Sequence, residues 1–152
     1  LNHEKTIALL HAMQSGSRAV KPSRLGVIGK DHFRRRAEQA GCEMESFEYR
    51  KEFSHSVGLP CVTECVFAAF PEAFRGEERE RRLITGVNWS AGIENPFRRL
   101  GKHGSSLDSV LAEQHASAEE PVLLALHVAY PDVEYRDRGK SSVVTASEST
   151  DS

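Results

Sequence analysis

An α+β fold, with about four strands in a mixed sheet and helices packed on one face, follows from three features of the chain. Its 152 residues suffice for a single compact core. With 39% hydrophobic and 28% charged residues, the composition fits a folded globular protein and neither a disordered tail nor a membrane protein. The periodicity then reads helix, helix, three strands, helix, strand, an order that groups strands together and so points away from alternating βα units. A formal charge of -2 gives no global electrostatic case for binding nucleic acid, so any such role must come from local patches.

The first helix is predicted over residues 2–15, with Ile7, Leu10 and Met13 at helical spacing, Asn2 as N-cap and Gly16 as stop. Polar residues with Pro22 then lead into Leu25-Gly26-Val27-Ile28-Gly29, a small apolar knot that turns at its glycines. A second helix starts near Asp31, sets Phe33, Ala37 and Ala40 on one face and ends at Gly41, with Arg34, Arg35 and Arg36 around its sides. Residues 1–20 read as a helix and linker, residues 21–144 as the domain and residues 145–152 as a disordered tail.

From Cys42 to Phe53 the pattern changes to period two, the mark of a half-exposed strand, with a phase slip that suggests a bulge near Ser46. The run Cys61 to Phe70 is apolar on both faces apart from Thr63 and Glu64, which predicts a central strand. A charged block leads to a shorter strand, Leu83 to Val87, and three consecutive strands suggest a meander. Ser105 and Asp108 match a capping box for a third helix, which Glu119-Glu120-Pro121 ends. Val122 to Tyr130 is the most hydrophobic strand and should lie deep in the sheet.

Chemistry is sparse in this pattern. Gly139-Lys140-Ser141 has the tail of a phosphate-binding P-loop, but Glu134 stands where the motif requires its first glycine. Lys140 can still reach a phosphate as a mobile point charge, or can be a solvated loop lysine. Cys61 and Cys65 would lie about 13 Å apart on one strand face, too far for one metal ion, and the histidines supply no ligand set, so no metal is expected. Three cysteines fit reduced thiols. His127, alone in an apolar strand, reads most simply as a core or rim histidine bonded through its ring nitrogens. No stretch reaches the ~18 apolar residues of a spanning helix and the first residues do not resemble a signal peptide, so a cytoplasmic location is expected. The chain opens on Leu1, which reads as a processed product, an excised domain or an incomplete frame.

Taken in order, several blocks resemble the transducer domain of the B subunit of DNA topoisomerase VI, the ATPase partner of the type IIB enzymes. Pro22-Ser23-Arg24-Leu25-Gly26-Val27-Ile28-Gly29-Lys30 is similar to the opening of that domain. Gly58-Leu59-Pro60 followed by Thr63-Glu64-Cys65-Val66-Phe67-Ala68-Ala69-Phe70 looks like its Gly-x-Pro-Phe strand with a Glu and an apolar run. Gly86-Val87-Asn88-Trp89-Ser90 resembles the Ala-Asn-Arg segment, with Trp89 in place of the Arg. Leu126-His127-Val128-Ala129, Val133-Glu134-Tyr135 and Gly139-Lys140-Ser141 are similar to the family's closing blocks.

The resemblance covers roughly residues 20–144 and implies a GHKL-type transducer fold whose loop lysine, here Lys140, senses the γ-phosphate of ATP. ATP and Mg would be held by a GHKL ATP-binding domain upstream or in another chain, because Asn-x-x-Asp-Ala and Asp-x-Gly-x-Gly elements are absent here. The implied partners are that domain, a topoisomerase VI A-like DNA-cleaving subunit and DNA, with no membrane. Two rival readings stand beside it. One is a free-standing module that grips nucleic-acid phosphates through Arg98, Arg99 and Lys102. The other is a small enzyme with Glu64 or His127 as acid or base, although no spacing brings titratable groups together.

Overall fold

The computed structural model describes residues 3–18, 20–56, 58–72, 80–92, 95–97 and 106–133. Three helices, α1 (His3–Gly16), α2 (Lys30–Gln39) and α3 (Leu107–Glu113), accompany five strands: β1 (Glu48–Ser56), β2 (Leu59–Ala69), β3 (Arg82–Val87), β4 (Ser90–Ala91) and β5 (Val122–Ala129). The class is α+β with a mixed sheet in the order β1-β2-β5-β3-β4. All neighbouring pairs are antiparallel except β3 and β5, which run parallel.

The fifth strand is β4, the return arm of a two-residue hairpin that follows Val87. The expected meander does not form, because β5 lies between β2 and β3. A parallel pair requires a crossover. The stretch from β3 through α3 to β5 supplies one, so sequential strands are not spatial neighbours there.

Strand alternation sorts the core into two faces. The antiparallel register sets Glu64 opposite His127, Val66 opposite Ala125 and Ala68 opposite Leu123. On that face α2 packs, with Ala37, Cys42, Ala68, Phe70 and Leu123 in one cluster. Ala37 and Ala68 are both fully buried, and two methyl side chains allow close approach of helix and strand. On the opposite face Leu126 and Val128 of β5 and Leu83 and Val87 of β3 meet Leu107 and Leu111 of α3, with Phe97 beside them. The helices therefore cover both faces of the sheet, not one. Because α3 reaches only β5 and β3, the back of β2 stays open at Cys65 and Phe67, and this strand is half-buried where full burial was expected.

Local chemistry explains the other departures. The phase slip near Ser46 is a turn, not a bulge: the Ser46 hydroxyl donates to Glu43 O and accepts from Ala69 N–H, stitching the turn to β2. The cap of α3 is Ser106, whose Oγ accepts from Ser109 N–H while the Ser109 hydroxyl accepts from Ser106 N–H. Asp108, expected to complete the cap, pairs instead with Arg81, whose guanidinium also donates to Ala116 O. That pair ties α3 to the start of β3 and leaves the capping to serines. Helix α1 exposes Ile7, Leu9, Leu10 and Met13 at 42–62%. The apolar residues at helical spacing are thus left exposed instead of packing against the sheet. No helix among the described residues is long and apolar enough to cross a membrane.

Leu123 is the side chain on which α2 rests, 4% exposed between Ala37 and Ala68. Leu123→Ala is expected to destabilise the fold by about 2–5 kcal/mol, read as a lower urea midpoint at unchanged m-value.

Candidate functional site

Among the described residues one carboxylate is held by four hydrogen bonds. Glu64 sits mid-strand in β2 with no exposed surface, and an ionised carboxylate there must have its lone pairs satisfied. Four donors do so. Oε1 accepts from Gly29 N–H and from the Tyr49 hydroxyl, and Oε2 accepts from Ile28 N–H and His127 Nδ1–H, each at 2.8 Å.

The four donors come from three pieces of the fold. Tyr49 reaches across from β1, and His127 faces Glu64 directly in the β2–β5 register. Ile28 and Gly29 are the last residues of the apolar knot before α2, so the carboxylate also lies at the positive end of that helix. Gly29 has φ 91°, ψ 151°, a conformation that residues with a Cβ rarely adopt, and this bend aims two successive N–H groups at one carboxylate.

Burial pushes the Glu64 carboxyl up, but the bonds from Ile28, Gly29, Tyr49 and His127 outweigh it and hold it below its ordinary value. The same contact raises the Tyr49 hydroxyl, through burial first and then through its bond to the Glu64 charge. Tyr49 therefore remains a donor.

His127 carries the network one step further. It is 1% exposed, and its Nε2 accepts from Trp89 N–H at 3.1 Å. With Nδ1–H donating to Glu64 and Nε2 accepting, the ring is the neutral Nδ1–H tautomer with both nitrogens engaged. Trp89 and Asn88 form the β3–β4 turn with φ 63° and 48°, the two positive angles of a type I′ hairpin. A tryptophan seldom adopts that conformation, and its surroundings hold it there. Asn88 N–H donates to Val128 O, and the Asn88 side chain donates to Tyr130 O and accepts from Tyr130 N–H. The indole lies over Gly26, where a Cβ would come within 3.1 Å of the ring. The hairpin, the exit of β5 and the lead-in to α2 thus close on one another.

Beside His127 a cleft of about 190 Å³ opens between α2 and the β3–β4 hairpin. Cofactor sites usually occupy ~300–1,000 Å³, so the cleft is too small for a nucleotide. In this arrangement neither Glu64 nor His127 presents a free acceptor to the cleft. A general base needs a free lone pair facing substrate, and every acceptor position here is taken by the protein itself.

Lys140, Arg98, Arg99 and Lys102, the residues singled out from the sequence, all lie outside the described residues. Of the others, Glu64 and His127 are brought together across 63 positions, which no spacing rule anticipates. Tyr49, Asn88 and Trp89 were missed. The available signal was two lone polar residues in two apolar strands, since such residues seek each other when buried.

Glu64→Gln puts an amide NH₂ against donors and should lower stability at pH 7 by about 3 kcal/mol or more. Because the folded carboxyl titrates below its ordinary 4.5, its contribution is complete above that value and is lost as pH falls through the lower folded one. Urea unfolding between pH 3 and 7 should show this decline in the natural chain and a flatter profile in E64Q. Equal stability of the two proteins at pH 7 would rule out the network as a structural latch.

No family model matches the chain, and no curated protein matches it. Among solved structures it is similar to the B subunit of DNA gyrase from Myxococcus xanthus, at 11% identity and a TM-score of 0.39. That match covers 64% of this chain and 28% of the gyrase subunit.

Proposed function

We propose that residues 21–144 act as the transducer-like part of a topoisomerase VI B-like GHKL ATPase. Lys140 senses the γ-phosphate of ATP, and the domain passes the nucleotide state on as a change of domain angle. ATP and Mg are held by a GHKL domain upstream or in another chain. The sequence here lacks the elements that bind them, and the cleft beside His127 is too small for a nucleotide. A topoisomerase VI A-like subunit and DNA are the downstream partners in this reading.

The observation that carries it is the double anchorage of Glu64. One carboxylate holds both Ile28 and Gly29, at the opening of the domain, and His127, on the strand after which the chain runs to Lys140. Asn88 fastens the exit of that strand at Tyr130. In this reading a force applied to the chain beyond β5 passes through His127 and Glu64 to the segment that leads into the domain. A lysine–phosphate bond that weakens when the γ-phosphate leaves can bias such a body between two orientations.

The test is ATP turnover by the longer polypeptide, or by this chain together with its ATP-binding domain. Lys140→Ala should lower kcat by about tenfold or more, the scale of one lost charge-assisted bond, while the far-UV circular dichroism stays unchanged. Lys140→Arg should recover part of the rate. An unaltered rate in Lys140→Ala would remove the sensor role.

A further inference from the structure

We propose that the cleft between α2 and the β3–β4 hairpin receives one large apolar side chain from an acidic segment of a partner protein. This inference does not rest on ATP sensing by Lys140. The walls are Ile28, Phe33, Ile84, Trp89 and Ala125, with His32 and Arg36 among the lining residues and no carboxylate among the described ones. The volume, about 190 Å³, is that of one anchoring side chain; an apolar cavity of ~150 Å³ already takes up a benzene ring.

Two features set this cleft apart from an incidental groove. Ile84 and Trp89 are 49% and 54% exposed at its edge, a large apolar surface on a hairpin that is otherwise tightly bonded. Trp89 is moreover held with positive φ by a backbone bond to a buried histidine, so the indole is presented on a rigid mount. Rigid aromatic walls around a pocket are what make a single anchor residue effective.

Charge selects the occupant. Arg36 is exposed, pairs with no carboxylate among the described residues and is the one arginine among the described residues that line the cleft, whereas Arg34 lies over the Phe47 ring. A segment with a carboxylate beside its anchor therefore meets the Arg36 guanidinium at the cleft. A nucleic-acid base is the poorer fit. Its polar edges would enter walls made mostly of aliphatic and aromatic carbon, where unpaired donors and acceptors are costly.

Trp89 is the single tryptophan of the chain, so its emission reports the cleft directly. Three probes suffice: the peptide acetyl-Asp-Glu-Phe-Glu-Asp-amide, its form with Ala for Phe, and its form with Lys for every acid. The first should give a saturable change in Trp89 emission, and the other two should bind about tenfold or more weakly. Arg36→Glu, a change at an exposed position, should weaken the first peptide by about tenfold, and Ile84→Asp should act likewise without loss of the far-UV signal. The proposal is overturned by no saturable response to the first peptide, by equal binding of the Ala form, or by an oligo-dT strand that binds more tightly than the acidic peptide.

Discussion

A buried carboxylate with no cation beside it among the described residues is the constraint around which this domain is organised. Among the described residues its charge is balanced by dipoles: two backbone N–H groups at the start of α2, a phenol from β1 and an imidazole from β5. Replacing a buried polar network with well-packed apolar residues can leave stability unchanged in general. Here a hydrophobic side chain at position 64 would strand the N–H groups of Ile28 and Gly29 against the sheet, so carboxylate and lead-in segment specify each other. The arrangement fixes where α2 begins, and with it the position of Ala37 over Ala68 and Leu123.

The parts of this fold legible in the sequence are those set by local periodicity. The boundary of α2 at Gly41, the apolar character of β5 and the break before β2 each depend on residues within one or two turns of chain. The order of strands was not legible. Whether β3 lies beside β2 or beside β5 is decided by the crossover through α3, and that depends on Leu107 and Leu111 finding Leu126 and Val128 far along the chain. Asp108 shows the same limit on a smaller scale. Its spacing from Ser105 suits a cap, yet Arg81, just before β3, takes the carboxylate, and the cap passes to Ser106 and Ser109.

The candidate site divides in the same way. Glu64 and His127 stood out as lone polar residues in apolar strands, while Tyr49 was indistinguishable from any strand aromatic. Trp89 was less visible still. Nothing local announces that a tryptophan will adopt a positive φ, because the reason lies in His127 Nε2, in Gly26 and in the bonds that Asn88 makes to Val128 and Tyr130. These bonds also bear on chemistry. A Glu–His pair facing a cleft has the outline of an acid–base dyad, but the outer nitrogen is occupied by a backbone donor, and the pair is better described as a fastening.

That fastening and the cleft share one wall. Trp89 is joined through its N–H to His127, His127 to Glu64, and Glu64 to the N–H groups of Ile28 and Gly29, while the Ile28 side chain lines the opposite side of the same cleft. The width of the cleft is thus set by a continuous path of short bonds through the sheet and not by loose side-chain packing. Networks of this kind are stiff because loosening any member leaves a buried polar group unsatisfied. The bond from Trp89 N–H to His127 fixes the backbone that carries the indole, and an occupant that fits the existing space leaves every bond intact. The site therefore favours a rigid apolar anchor of matching size, and the selectivity belongs to the same carboxylate that fixes the fold.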